Sequence, residues 1–331
     1  MSYNEQLEKK WRSKSSTQLE VECTDFSNVE LRLELSNICN HKCLFCPNHL
    51  HSRKPCSMDK KLAFRLIYEC SQLGVKKLGL FMNGEPFVTS DIHEYIEFAK
   101  DKGIEYVYIT TNGSLATIDK VSKCIDAGLD SIKFSINAGN SESYKLVHGK
   151  DEYEKVVNNL VDCYEYRKKV NSSINIYSSF IVTKYSQNDI AEHKKNIEKY
   201  VDELVFFEAA SFAGQMEDTI KELKPTEKWQ LEGMEIHAPI ITAPCLLLWN
   251  SINVTAEGYL TLCCSEAMGY NMLIDISELS INEAWNSEQM KQMRERHIAG
   301  NLQNTLCGKC IGMTSDIFPL NTDLYEKIKN K

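Results

Sequence analysis

Three cysteines stand close together early in the chain: Cys39, Cys43 and Cys46, in the run LSNICNHKCLFC (35–46). An apolar, alternating segment, VELRLEL (29–35), leads directly into them. The thiols are therefore expected in a loop at the carboxyl end of a strand. Three thiolates at Cys-x3-Cys-x2-Cys spacing can grip three corners of one iron–sulfur cube, whereas sites that only pass electrons add a fourth cysteine. The next cysteine, Cys56, lies beyond the basic, proline-containing stretch 51–55. Three ligands leave one iron open to a substrate. Zinc loops instead pair cysteines in two separated halves.

A second set gathers near the end. Cys245 follows Pro244; NVTAEGYLTLCC (253–264) reads as a hairpin turning at Glu257-Gly258; Cys307-Gly-Lys-Cys310 closes the set. Four thiolates of this kind can hold one fully protein-ligated cluster, and four can equally hold structural zinc. Cys23, Cys56, Cys70, Cys124 and Cys163 are left over and read as small buried hydrophobes.

Between the two sets, strands and helices alternate. Expected strands are 29–35, 77–81, 106–110, 131–136, 174–182 and 203–207, with helices at 58–73, 92–102, 115–127 and 189–200 between them. Ser57 is the expected cap of the first helix, and Gly128 a C-cap for the third. Such alternation implies parallel pairing with crossover connections. A polar connection, 212–239, is expected to carry one amphipathic helix after Thr226. A further helix is expected over 281–299.

These features resemble the radical SAM superfamily, including its aromatic residue before the third cysteine, here Phe45. The resemblance covers residues 29–312. It implies an α/β fold: a partial (β/α)6 TIM-like barrel, open rather than closed, with ligands at the strands' carboxyl ends. It implies that the open iron chelates S-adenosylmethionine and that a 5′-deoxyadenosyl radical abstracts a substrate hydrogen. Met82-Asn83-Gly84-Glu85-Pro86 resembles the superfamily's Gly-Gly-Glu-Pro motif, with Asn83 in place of the first glycine. Gly84 would admit a ligand close to the backbone and Glu85 would accept from the methionine ammonium. Asn112, after the third strand, and Ser135 and Asn137, in and after the fourth, fall where relatives contact the cofactor. His148 stands where many relatives carry an arginine for the cofactor carboxylate. A histidine is a poorer fixed cation at neutral pH, so Lys150 substitutes or the contact is made differently.

The C-terminal half resembles the SPASM domain or its shortened form, twitch. No cysteine follows Cys310, which implies one auxiliary [4Fe–4S] cluster on Cys245, Cys263, Cys307 and Cys310. Cys263 is preferred to Cys264 because the family places its ligand five residues after the turn glycine. The expected organisation is an extension over 1–28, a core over 29–211, a linker over 212–240 and an auxiliary-cluster domain over 241–331.

The expected activity is therefore that of a radical SAM oxidoreductase carrying two [4Fe–4S] clusters. It would dehydrogenate a small polar alcohol, such as a sugar or aminocyclitol derivative, with the auxiliary cluster accepting the electron. Glu208, at a strand's carboxyl end, is the candidate proton acceptor. A flavodoxin or ferredoxin would supply electrons. Residues 1–28 are too short for a leader-peptide-binding domain, which weighs against the alternative of a peptide or protein maturase. A zinc-stabilised, non-catalytic binding protein is the further alternative.

Composition bounds the rest. A net charge of −8 and a pI near 5.6 argue against a nucleic-acid groove or an anionic membrane as partner. The polar N-terminus lacks a signal peptide's apolar core, and no apolar run reaches the roughly 20 residues of a membrane span. Thirteen cysteines without an export signal point to the reducing, anaerobic cytoplasm.

Overall fold

The computed structural model describes residues 19–226, 236–237 and 243–329. Among these, six parallel strands follow one another in chain order: β1 (Glu30–Leu33), β2 (Lys77–Gly79), β3 (Tyr106–Thr111), β4 (Ser131–Ser135), β5 (Asn175–Val182) and β6 (Glu203–Glu208). Helices α1 (Lys60–Gln72), α2 (Ile92–Asp101), α3 (Ile118–Asp126), α4 (Ser141–His148), α5 (Tyr153–Lys169) and α6 (Ile190–Ile197) fill the crossovers. Short β7 (Ile236–His237) pairs with β6.

Alternation along each strand sorts the side chains. Leu31, Leu33, Leu78, Leu80, Val107, Ile109, Ile132 and Phe134 point outward and form one core with Leu66, Ile67, Ile96, Val121 and Leu160 of the helices. Their neighbours turn inward and are polar. Tyr108 donates to Glu30 at 3.2 Å, Tyr106 donates to Ser131 at 2.8 Å, and Arg32 lies over the Phe81 ring. The barrel interior is thus a polar wall backed by an apolar shell.

The C-terminal hairpin continues this sheet. Strand β8 (Ser251–Val254) pairs in parallel with β1 over four residues, and β9 (Tyr259–Thr261) and β10 (Met272–Asp275) follow antiparallel. The order is β10-β9-β8-β1-β2-β3-β4-β5-β6-β7; among the described residues its two ends do not pair, so the sheet is open. β8 thereby covers the free edge of β1, which would otherwise expose unpaired backbone groups. Gly258 turns the hairpin with φ +88°.

Two local expectations are corrected. Asp59, accepting from Leu62 N at 2.9 Å, caps α1 in place of Ser57, which is held in a bridge to Ser36. The helix over 281–299 is two helices, Ile281–Trp285 and Glu288–Ile298, because Ser287 caps the second by accepting from Met290 N. A helix, Glu217–Leu223, precedes Thr226; the helix expected after Thr226 falls outside the described residues. Residues 19–23 pack on the C-terminal part, where Trp249 Nε1 donates to the Glu20 carbonyl at 2.7 Å and Arg294 to that of Val21 at 3.0 Å.

Candidate functional site

The loop carrying Cys39, Cys43 and Cys46 leaves the carboxyl end of β1, and its backbone is held from three sides. Glu85 N donates to the Ile38 carbonyl at 2.9 Å, Asn37 N to that of Cys56 at 3.1 Å, and Leu44 N to that of Val147 at 2.9 Å. Phe45 is buried in an apolar cluster with Val147, Met216 and Ile220, so its ring anchors the loop. Burial pushes the Cys39 thiol up to about 12, with the charges of Glu85 and Cys46 adding to the effect. Cys43 is raised well above the usual thiol range by burial and then by Cys46 and Cys39. Without a cation the three thiols stay protonated at neutral pH. A donor set of this softness and crowding fits an iron–sulfur cluster, whose positive irons allow all three to ionise.

The 82–86 motif braces this loop. A Cβ on Gly84 would fall 1.9 Å from the Ser36 carbonyl oxygen, so the missing side chain admits the cluster loop's own backbone. Glu85 is buried and its carboxylate accepts from Phe87 N (3.0 Å), Thr111 Oγ1 (2.7 Å) and Asn112 N (2.8 Å). It therefore staples the exits of β2 and β3, with Pro86 opening a short turn of helix. Burial still pushes its pKa up, against those donors. Asn83 N donates to Glu34 Oε1 at 3.2 Å, and its amide reaches the Glu266 carbonyl on the C-terminal side. Asn112 Nδ2 approaches Cys39 Sγ at 3.7 Å and Asn40 Oδ1 at 2.9 Å.

Ser135 faces inward and pairs with Ser179 Oγ at 3.3 Å. Asn137 is buried, and its Oδ1 accepts from Ile181 N at 2.7 Å. His148 ends α4 only 1 % exposed, stacked on Tyr144. Burial, with His41 beside it, holds its pKa well below the ordinary histidine value. Its Nδ1 faces Cys43 Sγ at 3.3 Å. Lys150 is exposed.

The C-terminal cysteines gather from three segments. Cys245 is pushed up to about 11 by burial, then by Cys310 and Cys264. Cys263 lies well above the usual range through burial and then through Cys264, Cys307 and Cys245. Cys307 is raised by burial, Cys245 and Cys310; burial also raises Cys310. Cys264 receives a hydrogen bond from Arg32 NH1 at 2.8 Å, on the barrel's inner wall. Again the donor set fits a cluster. Glu266, fully buried, accepts from Gly269 N and Asn271 N and shapes the loop beneath; Asn271 Nδ2 lies 3.9 Å from Cys307 Sγ.

Sequence reasoning missed the joint between the two sets. Arg53, from the stretch after the triplet, donates through Nε to Glu257 Oε1 at 2.8 Å and through NH2 to Glu257 Oε2 at 2.6 Å, and it also pairs with Glu34. Burial works against its charge, but Glu34 and Glu257 hold the guanidinium above its ordinary pKa. No periodicity marks such a residue in a loop. Of the cysteines read as buried hydrophobes, Cys70, Cys124 and Cys163 are fully enclosed. Cys56 instead is partly exposed and accepts from Asn37 Nδ2 at 3.4 Å. Glu208 ends β6 exposed.

Comparison with known proteins matches residues 33–205 to the Radical SAM superfamily and residues 245–311 to SPASM, an iron-sulfur cluster-binding domain. The chain is 26 % identical to a GTP 3',8-cyclase of Clostridium perfringens, over 73 % of this chain and 82 % of that one. It is 28 % identical to an uncharacterized protein of Methanocaldococcus jannaschii, but spans only 57 % of that relative's length. Among solved structures, BtrN in complex with AdoMet and 2-DOIA superposes with a TM-score of 0.55 at 16 % identity, covering 87 % of this chain and 92 % of BtrN. Streptococcus suis SuiB bound to its precursor peptide SuiA gives 0.63 at 16 % identity, covering 81 % and 67 %. At such identities the structural likeness speaks for the fold. With the family match spanning more than half its length, the chain belongs to the radical SAM superfamily, carries a SPASM domain, and takes S-adenosylmethionine and two [4Fe–4S] clusters as its cofactors.

Proposed function

We propose that this enzyme dehydrogenates a small polar alcohol, of the sugar or aminocyclitol class, held against the inner wall of the barrel. One observation carries the reading: Arg32, on that inner wall, donates to Cys264 in the C-terminal cysteine region. A molecule inside the barrel would therefore lie beside the C-terminal cysteine region, on the wall formed by the strand that leads into the triplet loop. Cys39, Cys43 and Cys46 would hold the cluster that, with S-adenosylmethionine, would supply hydrogen-abstracting radical chemistry, and Cys245, Cys263, Cys307 and Cys310 would hold a cluster able to take one electron. The chain's own task is to bind, orient and deprotonate. On the inner wall the hydroxyls of Tyr106, Tyr108, Ser135 and Ser179 are paired with Ser131, Glu30 and one another, a polar surface a polyol could share. The substrate carbon gives up a hydrogen atom, its hydroxyl a proton and the resulting radical one electron, leaving a carbonyl. Glu208 is the proposed proton acceptor, because Glu34, Glu85 and Glu257 are already engaged by donors.

The reductant is proposed to be a flavodoxin or ferredoxin of the cytoplasm. No helix among the described residues is long and apolar enough to cross a membrane. The test is anaerobic turnover with sugars, aminocyclitols, GTP and short serine- or cysteine-containing peptides. Expected is 5′-deoxyadenosine together with a product 2 Da lighter than one of the alcohols, about one of each per turnover. Formation of 5′-deoxyadenosine with GTP or peptides alone would move the activity to cyclisation or peptide modification.

A further inference from the structure

We propose that His148 is a positioning residue for the cluster on Cys39, Cys43 and Cys46: its Nδ1–H donates to Cys43 Sγ and raises that cluster's reduction potential. The proposal rests on the radical SAM reading of the triplet.

The proton's place follows from the hydrogen bonds. Asn137 N donates to His148 Nε2 at 3.3 Å, and Asn137 Nδ2 lies 3.2 Å from the same nitrogen. The orientation of the Asn137 amide is fixed, since its Oδ1 accepts from Ile181 N at 2.7 Å. Two N–H groups therefore point at Nε2, which must be a bare lone pair. The one hydrogen of the neutral ring sits on Nδ1, 3.3 Å from Cys43 Sγ. The ring is held in that orientation. It stacks on Tyr144 with centroids 4.1 Å apart at 11°, and His41 and Phe45 stand edge-on to it at 5.5 and 6.2 Å. His41 itself is turned away to Glu152, 2.9 Å from Nε2.

The backbone repeats the grip. Lys42 N donates to the His148 carbonyl at 3.2 Å and Leu44 N to that of Val147 at 2.9 Å, one on each side of Cys43. Gly149, with φ +68°, lets α4 end there. The end of one helix thus fixes both the path of the loop and the electrostatics of its middle sulfur. An N–H aimed at a ligating sulfur stabilises the more negative, reduced cluster, and hydrogen bonds to sulfur are among the terms that set such potentials. Having an arginine's place in the chain, His148 works on the cluster rather than on the cofactor's carboxylate.

The experiment uses wild type, His148→Phe and His148→Asn, reconstituted anaerobically without S-adenosylmethionine, with iron and sulfide counted. Midpoint potentials are read by redox titration followed by electron paramagnetic resonance, with the C-terminal cluster as internal reference. His148→Phe keeps the ring and its stacking but has no donor. It is expected to shift the triplet cluster's midpoint to a more negative value and leave the reference unmoved. His148→Asn places an N–H where Nδ1 was and is expected to recover most of the shift. An unchanged midpoint in His148→Phe, or equal shifts in both variants, overturns the proposal. Should His148→Phe fail to load, the metal-free wild type decides it, with nitrogen-15-labelled histidine read by NMR. The Nδ1–H tautomer supports the proposal and the Nε2–H tautomer overturns it. A wild type that shows the Nδ1–H tautomer but loads no cluster at the triplet overturns the ligand reading beneath, a separate and distinguishable failure.

Discussion

The two cysteine sets reach similar chemistry by opposite routes. The triplet comes from one loop of eight residues, Cys39 to Cys46, so its ligands are neighbours before the chain folds. The quartet spans Cys245 to Cys310, 65 positions apart (310 − 245), and meets only through tertiary structure. The supports differ accordingly. Glu85, α4 and the 54–56 stretch hold the triplet loop by its backbone from the core side. The quartet depends on β8 joining β1 and on Glu266 shaping the loop before Asn271. Local spacing suffices for a site that binds the cofactor. The quartet's ligands must first be brought together from distant segments, and that takes a sheet.

The sharpest break between them is removal of ligands. Replacing Cys39, Cys43 and Cys46 together by alanine is expected to lower iron from about eight to about four per chain and to abolish 5′-deoxyadenosine formation. Replacing Cys307 and Cys310 is expected to remove a similar amount of iron while leaving reductive cleavage of S-adenosylmethionine measurable and alcohol oxidation lost. Iron analysis beside product quantitation separates the two. If either variant loses all iron and all cleavage, the sites are not independent and the comparison fails.

A smaller effect is expected at the joint. Arg53 links the stretch after the triplet to the turn before Cys263, with its side chain and that of Glu34 fully buried. Arg53→Met leaves Glu34 and Glu257 without their cation, a loss of about 3–5 kcal/mol for a buried pair broken on one side. A lower melting temperature and faster proteolysis within 251–264 should report it. Because Glu34 also accepts from Asn83 N and Ala256 N, Arg53→Met with Glu34→Gln should recover part of the loss. A single variant as stable as wild type would mean the triad does not join the two sites.

These contrasts follow what the sequence makes legible. The triplet, the alternation of strand and helix and the turn at Gly258 are local patterns, and each is visible along the chain. The contact of His148 with Asn137 needs α4 to fold back over 11 positions, and Arg53 meets Glu257 across 204. His148 was visible by its place in the chain but its partners were not, and Arg53 has no periodicity or spacing to announce it. The 82–86 motif was visible, but not its use. Gly84 and Glu85 read naturally as ligand contacts, and packing adds a role that the sequence does not display, bracing the cluster loop against β3. The pairing of β8 with β1 was hidden for the same reason: an edge strand's partner is decided by which edge is left open.

The finest comparison uses one glycine from each site. A Cβ at Gly84 would stand 1.9 Å from the Ser36 carbonyl oxygen; one at Gly308 would stand 2.0 Å from that of Leu302. Backbone atoms cannot swing aside as a side chain can, so alanine at either position must displace a segment, at about 1–3 kcal/mol. Gly84→Ala pushes on Ser36 and Asn37 at the root of the triplet loop. It is expected to lower occupancy of the triplet and cofactor cleavage while sparing the quartet. Gly308→Ala pushes on Leu302 and disturbs the Thr305 cap, whose Oγ1 accepts from Gly308 N at 3.0 Å. It is expected to lower occupancy of the quartet alone. Iron per chain, resolved by the two clusters' electron paramagnetic resonance signals, checks both variants. Since the triplet is local and braced on three sides, Gly84→Ala should lose the smaller fraction of its iron. The reverse order would show that the quartet, though assembled from distant segments, is the better supported of the two.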